Sequence, residues 1–196
     1  MANWQHWYLT HPEVRIDPGR PVSDWELSDH GRSRIANLAR SGHLPKFVHI
    51  VSSGERKAVE TAEILARALS VTVEERPAMH ENDRSSTGYL PREEFEAMAD
   101  AFFAEPRKRI RGWESATAAQ ARIVREVSEV LEDARGPVLF VGHGAVGTLL
   151  WCHLSGTGID RRHDQHDGGG CFFAFDGHSA PASGWRRIED WTGATT

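Results

Sequence analysis

The sequence predicts an α/β fold, a three-layer sandwich with a mostly parallel central sheet and helices on both faces. Two observations support this prediction: short apolar runs typical of strands alternate with segments of helical periodicity, and no internal repeat or low-complexity tract interrupts the alternation. The chain has 196 residues, of which 39% are hydrophobic and 26% charged, which is enough to build one domain around a hydrophobic core. We therefore expect a single domain over residues 1–196.

Strands are predicted where aromatic or apolar runs are short and are bounded by Pro, Gly or polar residues. They are expected over residues 4–10, 47–51, 71–73, 137–141, 171–175 and 185–188. The run 137–141 is almost continuously apolar, which is typical of a strand buried on both faces. Pro12 ends the first strand, and a loop rich in Pro and Gly follows it.

Helices are predicted where apolar residues recur with a period close to 3.6. They are expected over residues 28–40, 55–69, 91–104, 115–134 and 145–154. Ser28 is the expected N-cap of the first helix, and Gly42 follows its C-terminal end. In the long fourth helix, Ile123, Val127 and Val130 lie on one stripe that should face the sheet.

Charge and composition exclude several classes of protein. The formal net charge is -5, so the chain lacks the basic excess of a general nucleic-acid binder. Its two cysteines exclude both a disulfide framework and a cysteine-rich zinc module. Residues 1–8 contain no basic segment followed by a long apolar run, and no stretch is long enough to span a bilayer. We therefore expect no membrane association and a cytoplasmic location.

The chemistry is expected at the carboxyl ends of the parallel strands, where ligands bind in open α/β sheets. Two of the predicted strands are followed by a histidine, His11 and His143, and two lead into a helix whose N-terminus favours an anion. Arg56 and Lys57 lie in the first turn of the second helix, where a cation opposes the helix dipole unless an anion binds nearby. This combination predicts a phosphoryl site with one imidazole as the nucleophile.

Simpler interpretations of the same residues remain open. Taken singly, His11 and His143 are compatible with ordinary polar residues at strand ends, and Arg56 and Lys57 with a solvated helix face. The segment 161–167 contains a His-x-x-His pattern with flanking aspartates, but a polar surface loop explains it better than a metal site. Four tryptophans are compatible with either a homodimer surface or core packing: Trp4, Trp7, Trp185 and Trp191.

Four motifs in order resemble those of the histidine phosphatase, or phosphoglycerate mutase-like, superfamily. Leu9-Thr10-His11-Pro12-Glu13 is similar to the family's strand ending in Arg-His-Gly-Glu, and residues 52–62 resemble its Ser-Ser-x-x-x-Arg-Ala-x-x-Thr-Ala motif. Gly112-Trp113-Glu114-Ser115 resembles a Gly-Gly-Glu-Ser element, and residues 142–146 resemble Ser-His-Gly-Gly-Val. The resemblance extends over residues 5–175 and implies a phosphoglycerate mutase-like fold.

The resemblance also implies roles for individual residues. His11 matches the nucleophile that becomes a phosphohistidine, and His143 matches a second histidine that contacts the phosphoryl group. Glu81 lies where the family places the acid that protonates the leaving oxygen, with Asp83 as a less suitable substitute. Phosphate-binding candidates are Thr10, Arg15, Arg56, Lys57 and Gly144. No metal and no organic cofactor are implied.

Three departures from the family pattern affect phosphate binding. Thr10 replaces an arginine, Lys57 replaces another, and Pro12 replaces a glycine and removes a backbone N–H donor. Loss of one preorganised donor can cost ~2.7 to 4 kcal/mol of transition-state stabilisation. Of Arg15, Arg56 and Arg84, we expect Arg56 or Arg15 to supply the missing guanidinium, because both lie close in sequence to the altered motifs.

The sequence thus favours a metal-independent phosphatase that hydrolyses a small phosphomonoester through phospho-His11. A phosphoglycerate mutase is less favoured, because the chain is short and offers no clear site for a second phosphate. Residues 85–111 are expected to form a cap over the active site, and their mixture of aromatic and basic side chains suits an anionic substrate with an apolar part. The alternative is a degenerate, non-catalytic family member that binds a phosphorylated ligand or partner.

Overall fold

The structure is a computed structural model and describes residues 4–176, 181 and 183–192. One six-stranded sheet runs through it, formed by β1 (His6–Thr10), β2 (His49–Ser53), β3 (Val73–Arg76), β4 (Val138–Gly142), β5 (Cys171–Phe175) and β6 (Arg186–Arg187). The strand order across the sheet is β3-β2-β4-β1-β5-β6. The first four strands in this order are parallel, whereas β5 and β6 are antiparallel to their neighbours.

Five α-helices accompany the sheet in the described part of the chain. They are α1 (Asp29–Arg40), α2 (Arg56–Leu69), α3 (Arg92–Ala104), α4 (Ala116–Asp133) and α5 (Gly144–Leu154). Ser28 caps α1 as expected, because its side chain accepts a hydrogen bond from the Gly31 N–H. The mixed sheet with flanking helices confirms the predicted α/β fold, and no described helix is both long and apolar enough to cross a membrane.

Two hydrophobic clusters cover the two faces of the sheet, because successive strand side chains point to opposite sides. Leu9 and Leu139 belong to the cluster that α1 and α2 cover with apolar side chains such as Ile35 and Leu65. Tyr8 and Phe140, each one residue away, belong to the cluster that α3, α4 and α5 cover. This alternation produces the three layers of the fold.

Strand boundaries differ from the sequence expectations near the site. β2 begins and ends two residues later than predicted and includes Ser52 and Ser53, both fully buried. The pattern of apolar residues could not include them, because both side chains are polar, although Ser52 pairs with β3 and β4 and Ser53 pairs with β3. β3 is polar because it lies at the edge of the sheet, and β6 is only two residues long because a 3-10 turn, Ile188–Asp190, follows it.

Core packing accounts for most of the tryptophans considered for a homodimer surface. Trp7 and Trp191 are buried and stacked with ring centroids 6.3 Å apart. Trp185 packs edge-on against Phe173. Only Trp4 of the four is exposed, at 40%. A homodimer stays a prediction, and the four tryptophans do not form a shared exposed surface that would support it.

Candidate active site

The carboxyl ends of three adjacent parallel strands bring the site together. In the sheet β4 lies between β1 and β2, so the residues that follow these strands meet at one edge. His11 follows β1, Ser53 ends β2, and His143 lies between β4 and α5. The rings of His11 and His143 have centroids 5.2 Å apart in an edge-to-face arrangement. The structure therefore brings together the two histidines that the sequence singles out.

The imidazole of His11 is held in one tautomer. Its Nδ1 lies 2.8 Å from the carbonyl oxygen of Pro12, and because a carbonyl can only accept, Nδ1 carries the proton and Nε2 keeps a lone pair. Burial, together with the positive charge of Lys57, lowers the pKa of His11 to about 4. The ring is therefore neutral at pH 7, and Nε2 has the character of a nucleophile.

The backbone at His11 is fixed from both sides. Its N–H donates to the Gly142 carbonyl over 3.0 Å, and its own carbonyl accepts from the Gly170 N–H over 3.0 Å. Gly169 lies so close that a Cβ atom there would be 2.3 Å from the His11 carbonyl oxygen, and its φ is +61°. Only glycine fits this position, so the Gly168–Gly170 turn, which the sequence indicates only as a turn, positions the site.

His143 is fully buried. Its Nε2 is 2.8 Å from Ser53 Oγ, and its backbone N–H donates to Tyr8 Oη over 3.1 Å. Burial lowers the pKa of His143 well below its usual value, although the carboxylate of Glu55 opposes the shift. Within the described residues, Nδ1 of His143 is buried with no hydrogen-bond partner. A buried polar atom without a partner at a strand end is a group that a ligand could satisfy.

Glu81 lies against the N-terminus of α5. One carboxylate oxygen accepts from the Val146 N–H over 3.1 Å, and the other accepts from the Ala145 N–H over 3.3 Å. It therefore satisfies helix donors that the N-cap residue His143 leaves unpaired. Burial raises the pKa of Glu81, although the charge of Arg84 and these hydrogen bonds oppose the rise. A carboxyl with a raised pKa is suited to donate a proton.

Lys57 is buried and is paired with Glu55, a residue that the sequence analysis did not single out. Lys57 Nζ donates to a Glu55 carboxylate oxygen and, over 2.8 Å, to the Val22 carbonyl. The other Glu55 oxygen accepts from the Glu81 N–H over 2.8 Å and lies 3.7 Å from His143 Nε2. Burial favours the neutral acid, but the positive charge of Lys57 and the hydrogen bonds from Lys57 and the Glu81 N–H outweigh it and hold the pKa of Glu55 far below its usual range.

The arginines expected to supply the missing guanidinium form ion pairs with acidic side chains. Arg56 pairs with Glu26 at 2.6 Å and with Glu60 at 3.1 Å, and Arg15 is 77% exposed and 3.6 Å from Glu26. Phosphate binding by Arg15 or Arg56 stays a prediction, and these ion pairs do not support it. Arg84 is the arginine whose charge acts on His11, His143 and Glu81.

Thr10 and Gly144 both contact Gln165, which no pattern in the sequence indicated. Thr10 Oγ1 donates to Gln165 Oε1 over 2.6 Å and accepts from the Cys171 N–H over 3.0 Å. A Cβ at Gly144 would lie 2.3 Å from Gln165 Nε2. The hydroxyl of Thr10 is therefore engaged within the fold, and an amide side chain covers the start of α5.

A cavity of about 600 Å³ is lined by Glu55, Glu81 and Arg84 among others. A second cavity of about 270 Å³ shares Arg84 with the first and is lined by Trp25, Tyr89, Leu90 and Phe95 among others. The proposed cap, residues 85–111, contributes its first part to these walls, whereas Met98, Phe102 and Phe103 of α3 pack in the core. Neither the cap nor the single-domain organisation is tested further and both stay predictions. In the described part of the chain, no group of His, Cys, Asp and Glu side chains could hold a metal ion.

The fold and motifs agree with comparisons with known proteins. A family model described as histidine phosphatase superfamily (branch 1) matches residues 15–178. The chain belongs to the histidine phosphatase superfamily, and this membership supports a phosphatase function. The matched range begins after His11, so it does not include the first motif. No curated protein matches the sequence significantly.

Solved structures share the fold at low sequence identity. A mycobacterial glucosyl-3-phosphoglycerate phosphatase is 21% identical, with a TM-score of 0.75 over 97% of this chain and 99% of that one. A protein described as mycobacterial hydrolase 2 is 22% identical, with a TM-score of 0.76 over 98% and 92% of the two chains. Bacillus stearothermophilus YhfR is 20% identical, with a TM-score of 0.72 over 89% and 93%. At these identities the likeness concerns the fold.

Proposed function

We propose that this chain is a metal-independent phosphatase that hydrolyses a phosphomonoester through a phosphohistidine on His11. The observation that carries the proposal is the hydrogen bond from His11 Nδ1 to the Pro12 carbonyl. It leaves the Nε2 lone pair available, and a pKa of about 4 keeps the ring neutral at physiological pH. A neutral, oriented imidazole is what attack on phosphorus requires.

Two steps complete the reaction. In the first, the bond between His11 Nε2 and phosphorus forms while the ester P–O bond breaks, and Glu81 gives its proton to the leaving oxygen. In the second, water attacks the phosphohistidine, Glu81 takes the proton from the water, and the P–N bond breaks to release phosphate and neutral His11. Lys57, Arg84 and the Nδ1 atom of His143 are the groups near His11 that could stabilise the phosphoryl oxygens.

The substrate class proposed here is a small phosphorylated compound with an apolar or aromatic part. Arg84 lies 4.9 Å over the ring of Phe95, and the rings of Trp25 and Tyr89 have centroids 5.9 Å apart. These aromatic side chains border the smaller cavity, which adjoins the one that contains the carboxylates. The arrangement suits an organic group that packs on aromatic rings while its phosphate points toward His11.

A degenerate member that binds a phosphorylated ligand without turnover is the second candidate. The observation that favours it is the state of the phosphate-binding positions. Thr10 stands where the family has an arginine, and its hydroxyl bonds to Gln165. Lys57 is paired with the carboxylate of Glu55. We favour the enzyme, because a binder has no need of a neutral nucleophile beside a carboxyl with a raised pKa.

Hydrolysis of an aryl phosphate in the presence of a chelator tests the proposal. Wild-type protein, His11→Ala and the matched control His43→Ala are compared, since His43 is exposed beyond the C-terminal end of α1. We expect turnover in the wild type and the control, and stoichiometric labelling by a radioactive phosphoryl group that His11→Ala abolishes. Equal rates in wild type and His11→Ala would refute the mechanism. If wild type binds phosphate and none of the three proteins hydrolyses the ester, the degenerate binder is favoured.

The cytoplasmic location and the homodimer expected from the sequence stay predictions. We propose no partner other than the small phosphorylated substrate, and no nucleic acid or membrane.

A further inference from the structure

Glu55 occupies an unusual position for a residue that precedes a helix. It is the N-cap of α2, yet its side chain makes no hydrogen bond to that helix. The carboxylate instead turns into the site, where only 12% of the side chain is exposed. An N-cap acid ordinarily accepts from the N–H groups of its own helix, so this orientation indicates stronger partners elsewhere.

Those partners are donors of the kind that bind a phosphoryl group. One oxygen of Glu55 accepts from the buried ammonium of Lys57, and the other accepts from the Glu81 N–H. A cation and a backbone amide are typical ligands of a bound anion. The Glu55 carboxylate thus has, within the protein, the surroundings that a phosphate would need.

A phosphate cannot share these donors with Glu55. Lys57 already gives one hydrogen bond to the Val22 carbonyl and another to Glu55. Both nearby histidines are neutral, because burial lowers the pKa of each. A dianion beside an ionised carboxylate in a half-buried site would be repelled with little compensating charge.

We propose that Glu55 is an internal anion that holds the phosphate site closed and must leave Lys57 before a phosphoryl group binds. Glu55 lines the cavity of about 600 Å³, so open space lies beside its side chain. The same competition would expel the product phosphate, because the carboxylate returns to Lys57 as phosphate departs. This inference rests on the proposed phosphate site but not on turnover at it.

Binding of inorganic phosphate, measured by calorimetry and by the shift in thermal unfolding, tests the proposal. The variants are Glu55→Gln, which keeps an acceptor for Lys57 or the Glu81 N–H, and Glu55→Leu, which removes both. Glu63→Gln is the matched control, since Glu63 is exposed on α2. We expect at least about tenfold tighter phosphate binding in Glu55→Gln, because the ionised competitor is gone while one hydrogen bond remains.

Thermal unfolding separates competition from a structural role. Without phosphate, both Glu55 variants should unfold at lower temperature than wild type, because Lys57 is left buried without its charge partner. Phosphate should raise their unfolding temperature more than that of wild type or of Glu63→Gln. If folded Glu55→Gln binds phosphate no more tightly than wild type, or binds none, the proposal is wrong. Tighter binding in a protein that hydrolyses nothing would retain Glu55 as competitor while refuting the proposed enzyme.

Discussion

Acidification from pH 7 to pH 5 should lower the free energy of unfolding through His11. The pKa of His11 is about 4 in the folded chain, because burial and Lys57 disfavour the charged ring, and about 6.5 in the unfolded chain. Between these values the unfolded chain binds a proton that the folded chain does not, so stability falls as the pH decreases. A pH of 5 is about 1.5 units below the pKa of His11 in the unfolded chain, and this difference corresponds to a loss of about 2 kcal/mol in the free energy of unfolding. Since His11 is only half-buried, solvent screening reduces the expected loss to about 1 to 2 kcal/mol.

Urea unfolding at pH 7 and pH 5 measures this loss. Wild type, His11→Gln and the control His43→Gln are compared, because glutamine fills similar space without titrating. The stability lost on acidification should be about 1 to 2 kcal/mol smaller in His11→Gln than in the other two proteins. His143 contributes in the same direction, but it is present in all three proteins and therefore cancels. An equal loss in all three proteins would refute the assignment of a neutral imidazole to His11, and with it the proposed nucleophile.

Two further predictions concern the groups around His11. Glu81→Gln should lower kcat on an alkyl phosphate by about 10²- to 10⁴-fold. It should also remove the decline in rate that we expect of wild type as the pH rises through the raised pKa of Glu81. It should affect an aryl phosphate with a good leaving group much less, and an equal effect on both esters would argue against the role of acid. Gly169→Ala would place a Cβ 2.3 Å from the His11 carbonyl oxygen. We expect it to lower the free energy of unfolding by about 1 to 3 kcal/mol and also to lower kcat. Gly158→Ala is its control, because a Cβ there meets no atom within 4 Å, and an unchanged kcat in Gly169→Ala would contradict the positioning role of the turn.

Much of the site was predictable because it lies where secondary structure ends. Apolar runs indicate the strands, and neighbouring parallel strands end at one edge, so His11 and His143 had to lie close together once the sheet order was known. The order of elements follows from periodicity in the same way. The limits of β2 did not follow, because Ser52 and Ser53 are polar and yet belong to the buried ladder.

Side-chain partners that are distant in sequence were not predictable. Glu55 bonds to the Glu81 N–H, 26 residues away, and no local pattern indicates that an N-cap acid turns away from its helix. Arg15 and Arg56 were expected near phosphate, and the sequence did not indicate that both form ion pairs with Glu26, which a loop brings alongside them. That loop is paired through an isolated bridge between Val14 and Leu27, which no strand signal in the sequence indicates. Such choices depend on which charges meet in space, and sequence spacing does not determine this.

The hydrogen bonds at His11 have a consequence for how the site is lost. Although His11 lies beyond the last residue of β1, its N–H and carbonyl bond to the main chain at Gly142 and Gly170 on either side, as a strand residue would. Displacement of His11 therefore requires the loss of main-chain hydrogen bonds to two other segments of the chain, and not only a change in its own loop. We expect the reactive geometry to resist local opening better than that of a histidine on an unpaired loop.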